Sequence, residues 1–200
     1  VEMTIPRFRF ENDSELITSG TASDIRLSNL RNVQELTLNI YRTDLNGDTR
    51  IEHKDLAEKQ NFQKWLMTEL SQTRRYEGHP PYEDFRDTLH LSGLQPGVYM
   101  VELLTNPQTE VMRRLFFVSD LYIMGEELPN DNRYVVVNST TGQPVPGAHL
   151  KLTKDSRKVR KVVELTCDEK GEVRCEDEAD YLFAYTDTDK GFKEISWNGN

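Results

Sequence analysis

The chain has 200 residues, 36% of them hydrophobic and 30% charged, and carries a net charge of −9 from 34 acidic and 25 basic side chains. This composition excludes an intrinsically disordered chain, and the acidic balance argues against nucleic acid or an anionic membrane as a partner, since Lys and Arg must neutralise their phosphates. No run reaches the roughly 18 consecutive apolar residues of a membrane-spanning helix, and no basic-then-apolar signal segment opens the chain.

In chain order, "RFRFE" places Phe8 and Phe10 on alternate positions, and "ELTLNIY" does the same with Leu36, Leu38 and Ile40. This period of two predicts half-buried strands. Next comes "DLNGDTRIEHKD", residues 44–55. On a 12-position calcium loop, Asp44, Asn46 and Asp48 take positions 1, 3 and 5, Arg50 offers its carbonyl at 7, and Asp55 stands at 12. Thr49 at position 6 departs from the pattern, because the sharp turn there favours Gly. Locally the stretch resembles the loops of dockerin modules, which also end in Asp. Two readings stay open: a structural calcium site that pins the next element, or a polar turn in which Asp55 caps a helix.

A helical insert is predicted over about 55–75, where Leu56, Phe62, Trp65, Leu66 and Leu70 recur at helical spacing behind the Asp55 cap. Its apolar stripe is expected to pack on a sheet, with Trp65 in the core. Further strands follow at "GVYMVELL" (Val98, Met100, Leu103), "RRLFFVSDL" (Leu115, Phe117), "RYVVVN", "AHLKL", "KVVELT", "EVRC" and "YLFAYTD", separated by Gly, Pro, Asn and Asp. Many short strands with one helical insert point to antiparallel β-sandwiches. The expected boundary near Ser119 to Gly125 gives one domain over 1–120 and a second over 121–200.

"CDEKGEVRC" sets Cys167 and Cys175 on either side of a turn. If the flanks pair as a hairpin, the two side chains face each other within disulfide reach; two free thiols are the alternative. A disulfide would imply an oxidising compartment. Zinc is disfavoured, because a structural site takes about four ligands and no second Cys pair or nearby His exists. The basic run from Lys151 to Lys161, followed by acidic "CEDEAD", reads as a charged hairpin rim.

Catalytic signatures are missing. His53, His79, His90 and His149 lie in different segments, and neither G-x-S-x-G nor G-x-x-x-x-G-K occurs. The expectation is a protein that is not an enzyme. A carbohydrate-binding or adhesin sandwich is the alternative reading, and Tyr76, Tyr82 and Trp197 would be its aromatic platform.

"LSGLQPGVYMVEL" (Leu91 to Leu103), then "FFVSDL", "YVVVNSTTGQPVPGAHLKL" (Tyr134 to Leu152) and "DEKGEV" (Asp168 to Val173) follow one another in an order that resembles consecutive macroglobulin-like domains of the bacterial alpha-2-macroglobulin family. The resemblance runs from about Val33 and implies an all-β fold of tandem immunoglobulin/fibronectin-III-like (macroglobulin-like) β-sandwiches. It implies a non-catalytic structural and interaction module of an envelope protease inhibitor, located in the periplasm or cell envelope of a Gram-negative bacterium. Its partners would be other domains of the same large chain and, through the full-length protein, host or competitor proteases. The covalent centre that some members of the family carry is a thioester in a motif of the Cys-x-Glu-Gln type. Here Cys167 is followed by "DEK" and Cys175 by "EDE", so no thioester, catalytic residue or cofactor carries over, and structural calcium is the one metal under consideration.

Overall fold

Apolar side chains at every second position leave a strand with one face to bury, and sheets stacked in pairs bury it. The computed structural model describes residues 7–10, 16–17, 19, 23–43, 66–80, 82–106, 111–155 and 159–194, and every regular element among them is a strand. The chain divides into two compact units, the first ending at Phe116 and the second running on from Phe117.

In the first unit, β1 (Arg7–Phe10), β3 (Ser23–Arg31) and β6 (Phe85–Leu91) form a three-stranded sheet in the order β1-β3-β6. A five-stranded sheet takes β2 (Leu16–Ile17), β4 (Glu35–Thr43), β5 (Leu66–Arg75), β7 (Gly97–Asn106) and β8 (Val111–Val118) in the order β2-β8-β7-β4-β5. Ile25, Leu27 and Leu30 of β3, Leu36, Leu38 and Ile40 of β4, and Leu89 and Leu91 of β6 are all buried. Side chains also lace β5 to β6: Arg74 pairs with Asp87 at 3.3 Å, and the Tyr76 hydroxyl donates to the same carboxylate at 2.7 Å. In β3 the apolar alternation breaks after Leu27 and resumes at Leu30. The register shifts there, and Asn29 adopts a left-handed φ of 52°, as a bulge residue can.

The helical insert is corrected by this structure. Leu66–Arg75 is β5, an edge strand paired antiparallel with β4 from Glu35↔Arg75 to Thr43↔Leu66, while residues 51–65 lie outside the described residues. Leu, Met, Glu, Gln and Arg favour helix only by tenths of a kcal/mol per residue, and pairing with the buried strand β4 outweighs that preference. The register slips between Ile40 and Tyr41, where β5 carries one residue more than β4, as at a bulge.

In the second unit, β9 (Leu121–Glu127), β10 (Asn132–Asn138) and β13 (Glu172–Cys175) form one sheet in the order β13-β10-β9. The other sheet holds β11 (His149–Asp155), β12 (Arg160–Thr166), β14 (Tyr181–Tyr185) and β15 (Lys190–Glu194), in the order β12-β11-β14-β15. Leu121, Ile123, Tyr134 and Val136 from the first sheet share one core with Leu150, Leu152, Leu182 and Ala184 from the second. Among the described residues no helix is long and apolar enough to cross a membrane.

The turn at "DEKG" crosses from one sheet of this sandwich to the other. Asp168 accepts the Lys170 and Glu172 amides at 2.8 and 3.0 Å through one carboxylate oxygen, and Gly171 holds a left-handed φ of 69°. A Cβ on Gly171 would lie 2.6 Å from the Val136 carbonyl, so glycine is required by space as well as by conformation.

Candidate functional site

Asp44, Asn46, Asp48, Arg50 and Asp55 of the candidate calcium loop lie outside the described residues, as do Trp65, Trp197 and His53. No group of three or more His, Cys, Asp or Glu side chains suited to a metal ion occurs among the described residues. Of the candidate aromatic platform, Tyr76 and Tyr82 are among the described residues. Tyr82 is 65% exposed, but Tyr76 is held edge-on to Phe85 with ring centroids 4.9 Å apart, and its hydroxyl is bonded to Asp87. Burial, then the Asp87 hydrogen bond, pushes the Tyr76 pKa well above the ordinary phenol range.

The premise for the disulfide is also corrected. β12 pairs with β11 while β13 pairs with β10 in the other sheet, so the flanks of "DEKG" do not form a hairpin ladder. Both cysteines are free thiols. Cys167 is buried in the core of the second unit, and burial raises its pKa to about 11. Cys175 is half-buried, and its Sγ receives the Asp177 backbone N–H at 3.4 Å. Lys161 forms an ion pair with Asp177 and holds that carboxyl below its usual pKa.

Buried charge is concentrated on the faces of the two large sheets. Cross-strand register puts Asn39, Tyr41, Met100 and Glu102 on the face of the five-stranded sheet opposite to Leu38, Ile40, Val101 and Leu103. There Glu102, 2% exposed, receives hydrogen bonds from Asn39 Nδ2 at 3.1 Å and Tyr41 Oη at 3.3 Å. Arg113 Nε on β8 reaches the other carboxylate oxygen at 2.6 Å, and Ser71 Oγ on β5 extends the chain by donating to Asn39 at 2.8 Å. The network ties four neighbouring strands, β5, β4, β7 and β8.

A second network covers the outer face of the four-stranded sheet. Lys151, 8% exposed, lies with its Nζ 5.2 Å from the Tyr185 ring centroid. The His149 ring stacks on Tyr185 at 4.9 Å and its Nδ1 is 3.2 Å from Thr166 Oγ1, while Tyr185 Oη is bonded to Glu164. Elsewhere in this unit, buried Ser119 donates to Asp189 at 2.7 Å and accepts the Leu121 amide at 3.0 Å; the other oxygen of Asp189 takes the Asp120 amide. Gly191 passes close to this corner, where an added Cβ would come within 3.1 Å of Ser119 Oγ and of the Leu121 carbonyl.

These arrangements brace strands and turns. The described histidines do not converge: His79 stacks on Phe85, His90 pairs with Asp24 at 2.6 Å, and His149 sits on the second sandwich. Ser119, a buried hydroxyl bonded to a carboxylate, spends both its donor and an acceptor on the fold. Reading by alternation missed Glu102 and Lys151. The available signal was an acid inside "VYMVELL" and a base inside "HLKL", single charges enclosed by apolar residues in strands.

No family model and no curated protein matches this chain. Solved structures do. Native alpha-2-macroglobulin from Escherichia coli spanning domains MG0-NIE-MG1 aligns with a TM-score of 0.66 at 15% identity, covering 96% of this chain and 64% of that one. A structure of the same protein spanning domains NIE-MG1 aligns with a TM-score of 0.62 at 15% identity, covering 96% of this chain and 98% of that one. At such identity the likeness is one of fold: the chain has the architecture of these macroglobulin domains and spans about 64% of the longer solved chain.

Proposed function

We propose that this chain is a non-catalytic structural and interaction module of an alpha-2-macroglobulin-like protease inhibitor, working outside the cytoplasm in the periplasm or cell envelope of a Gram-negative bacterium. The observation that carries the reading is the end-to-end correspondence of both units with a solved two-domain piece, covering 96% of this chain and 98% of that piece. The commitment of Glu102, Arg113, Ser119 and Asp189 to internal bonds agrees with a bracing role. On this reading the segment holds other domains of a larger polypeptide in place, and protease capture belongs to residues beyond it.

The test is functional and uses the full-length polypeptide. Full-length protein is expected to slow digestion of a large protein substrate by a bound protease much more than cleavage of a small chromogenic peptide. Replacing the present segment by an unrelated sandwich should abolish that protection. Hydrolytic turnover by the purified segment, or fractionation of the natural protein with the cytoplasm, would overturn the proposal.

A further inference from the structure

The four-stranded sheet of the second unit ends on β12, and among the described residues no strand pairs with its far side. The ladder fixes which main-chain groups that edge presents. The Cys167 amide donates to the Ala148 carbonyl at 2.8 Å, so in this antiparallel register Leu150↔Leu165, Leu152↔Val163 and Lys154↔Lys161 are the hydrogen-bonded pairs. The N–H and C=O groups of Arg160, Val162, Glu164 and Thr166 therefore point away from β11, and their side chains share the outer face of the sheet. Val162 is 41% exposed on that face, and Val159, just before the strand, is 66% exposed. Lysine on an edge ordinarily blunts it. The one lysine of β12, Lys161, turns to the other face and is held by Asp177.

This edge is its own complement. When two β12 strands run antiparallel about a two-fold axis through Val162, Arg160 of each copy stands opposite Glu164 of the other, Val162 opposite Val162, and Val159 opposite Leu165. The outward main-chain groups meet one another in the same register, so Arg160, Val162 and Glu164 all exchange N–H···O bonds across the axis. The guanidinium has five N–H donors, and its ion pair with Asp155 at 3.7 Å leaves room for a second carboxylate. Other registers are poorer. An axis through Arg160, Lys161 or Glu164 opposes like charges, and one through Val163 sets Arg160 against Thr166. Charge thus selects one alignment of the pair.

We infer that β12 pairs edge to edge with β12 of a second copy of this chain, antiparallel and centred on Val162. The seam is one strand wide on each side, well short of the roughly 800 Å² per partner of a standard interface, so the association is weak, with a Kd on the order of 10 μM. This self-association goes beyond the module role proposed above and does not depend on it.

Sedimentation velocity of the full-length polypeptide, from about 1 to about 200 μM, reads the association directly. The expected result is a monomer–dimer equilibrium within that range. Arg160→Glu and Glu164→Arg should each weaken it at least tenfold, because each sets like charges opposite one another across the axis. An equimolar mixture of the two variants should recover the wild-type Kd to within about threefold: the new carboxylate of one faces the new guanidinium of the other, and the second pair stays native. Val162→Lys, at an exposed outward position, sets two ammonium groups against each other at the axis and should also abolish the dimer, with circular dichroism unchanged; it carries the test if a charge variant fails to fold. A wild-type protein that stays monomeric throughout overturns the inference. So does a dimer that Val162→Lys leaves intact, which would place the contact on another surface, and so does a mixture of folded charge variants that fails to associate.

Discussion

The Glu102–Arg113 pair allows a quantitative test of how the first sandwich is held. Glu102 is 2% exposed and Arg113 Nε lies 2.6 Å from it, with the Arg113 side chain 10% exposed, so removing one partner strands the other away from water. Breaking such a pair costs about 3–5 kcal/mol, mostly the penalty of the uncompensated charge. Glu102→Gln keeps the volume and leaves one oxygen for Asn39 and Tyr41, but its amide nitrogen is a donor in a cluster of donors. We expect a loss near the lower bound, about 3 kcal/mol, which for a unit of this size lowers its melting midpoint by roughly 10 °C. Arg113→Met should cost a similar amount. The double variant Glu102→Gln, Arg113→Met should be less destabilised than the sum by at least about 2 kcal/mol, because neither charge is then left alone. Urea titration followed by far-ultraviolet circular dichroism measures all four corners of the cycle, and the second unit's transition should not move. Single variants costing under about 1 kcal/mol, or strictly additive losses, would show that the charges are solvated and that the burial argument is wrong.

Gly171→Ala should destabilise the second unit by more than about 2 kcal/mol, through strain at positive φ and a clash with the Val136 carbonyl, while Gly142→Ala, at φ 70° with nothing within 4 Å, should cost about 1 kcal/mol; equal losses in paired urea titrations would refute the steric part. With its pKa near 11, Cys167 is about one part in a thousand thiolate at pH 8. A chromogenic disulfide reagent should therefore label Cys175 first and Cys167 only on unfolding, and two thiols should titrate in denaturant without reductant. Asp168, Glu172 and Asp177 all have pKa values held below the ordinary carboxyl range, by backbone amides, by Arg133 and by Lys161 respectively. Their contribution is present above the unfolded carboxyl pKa of about 4 and lost as pH falls through the lower folded values, so melting scans should show the second unit weakening below about pH 4, less steeply in Asp168→Ala. For residues 44–55, the calcium reading predicts a higher midpoint in millimolar calcium than in chelator, lost in Asp44→Ala, Asp48→Ala; an unchanged midpoint assigns the stretch to a polar turn capped by Asp55.

The strands that were legible in the sequence are those with one buried face and regular register. "ELTLNIY" becomes β4 with Leu36, Leu38 and Ile40 inward, and "YLFAY" becomes β14 with Leu182 and Ala184 inward. Pattern reading lost elements where a second influence entered. β3 hid because the bulge at Asn29 puts Leu30 out of phase with Ile25 and Leu27. β9 hid because Tyr122 and Met124 are apolar on its outer row, so the stretch shows no alternation. β5 was read as helix because local propensity carries no information about the partner strand waiting at β4. The hairpin premise for the cysteines failed for a related reason. "CDEKGEVRC" specifies a tight turn, which forms, but which sheet each flank joins is decided by β10 and β11, distant in sequence.

The two charges missed by pattern reading answer a question that the apolar residues leave open. In β7, Val98, Tyr99, Met100, Val101 and Leu103 are all buried, so the strand is apolar on both faces and hydrophobic burial alone gives weak preference between one register and the next. A slip of one residue would turn Glu102 toward Leu36, Leu38 and Ile40 and take it from Asn39, Tyr41 and Arg113. A buried carboxylate without those donors costs several kcal/mol, far more than exchanging Val101 for Leu103 against the same neighbours. Lys151 stands in the same position on β11, between core residues Leu150 and Leu152 and facing Tyr185 on the other side of the sheet. The buried charges therefore select one alignment of each central strand. A single alignment of its central strand is what each sandwich requires if it is to present one fixed surface.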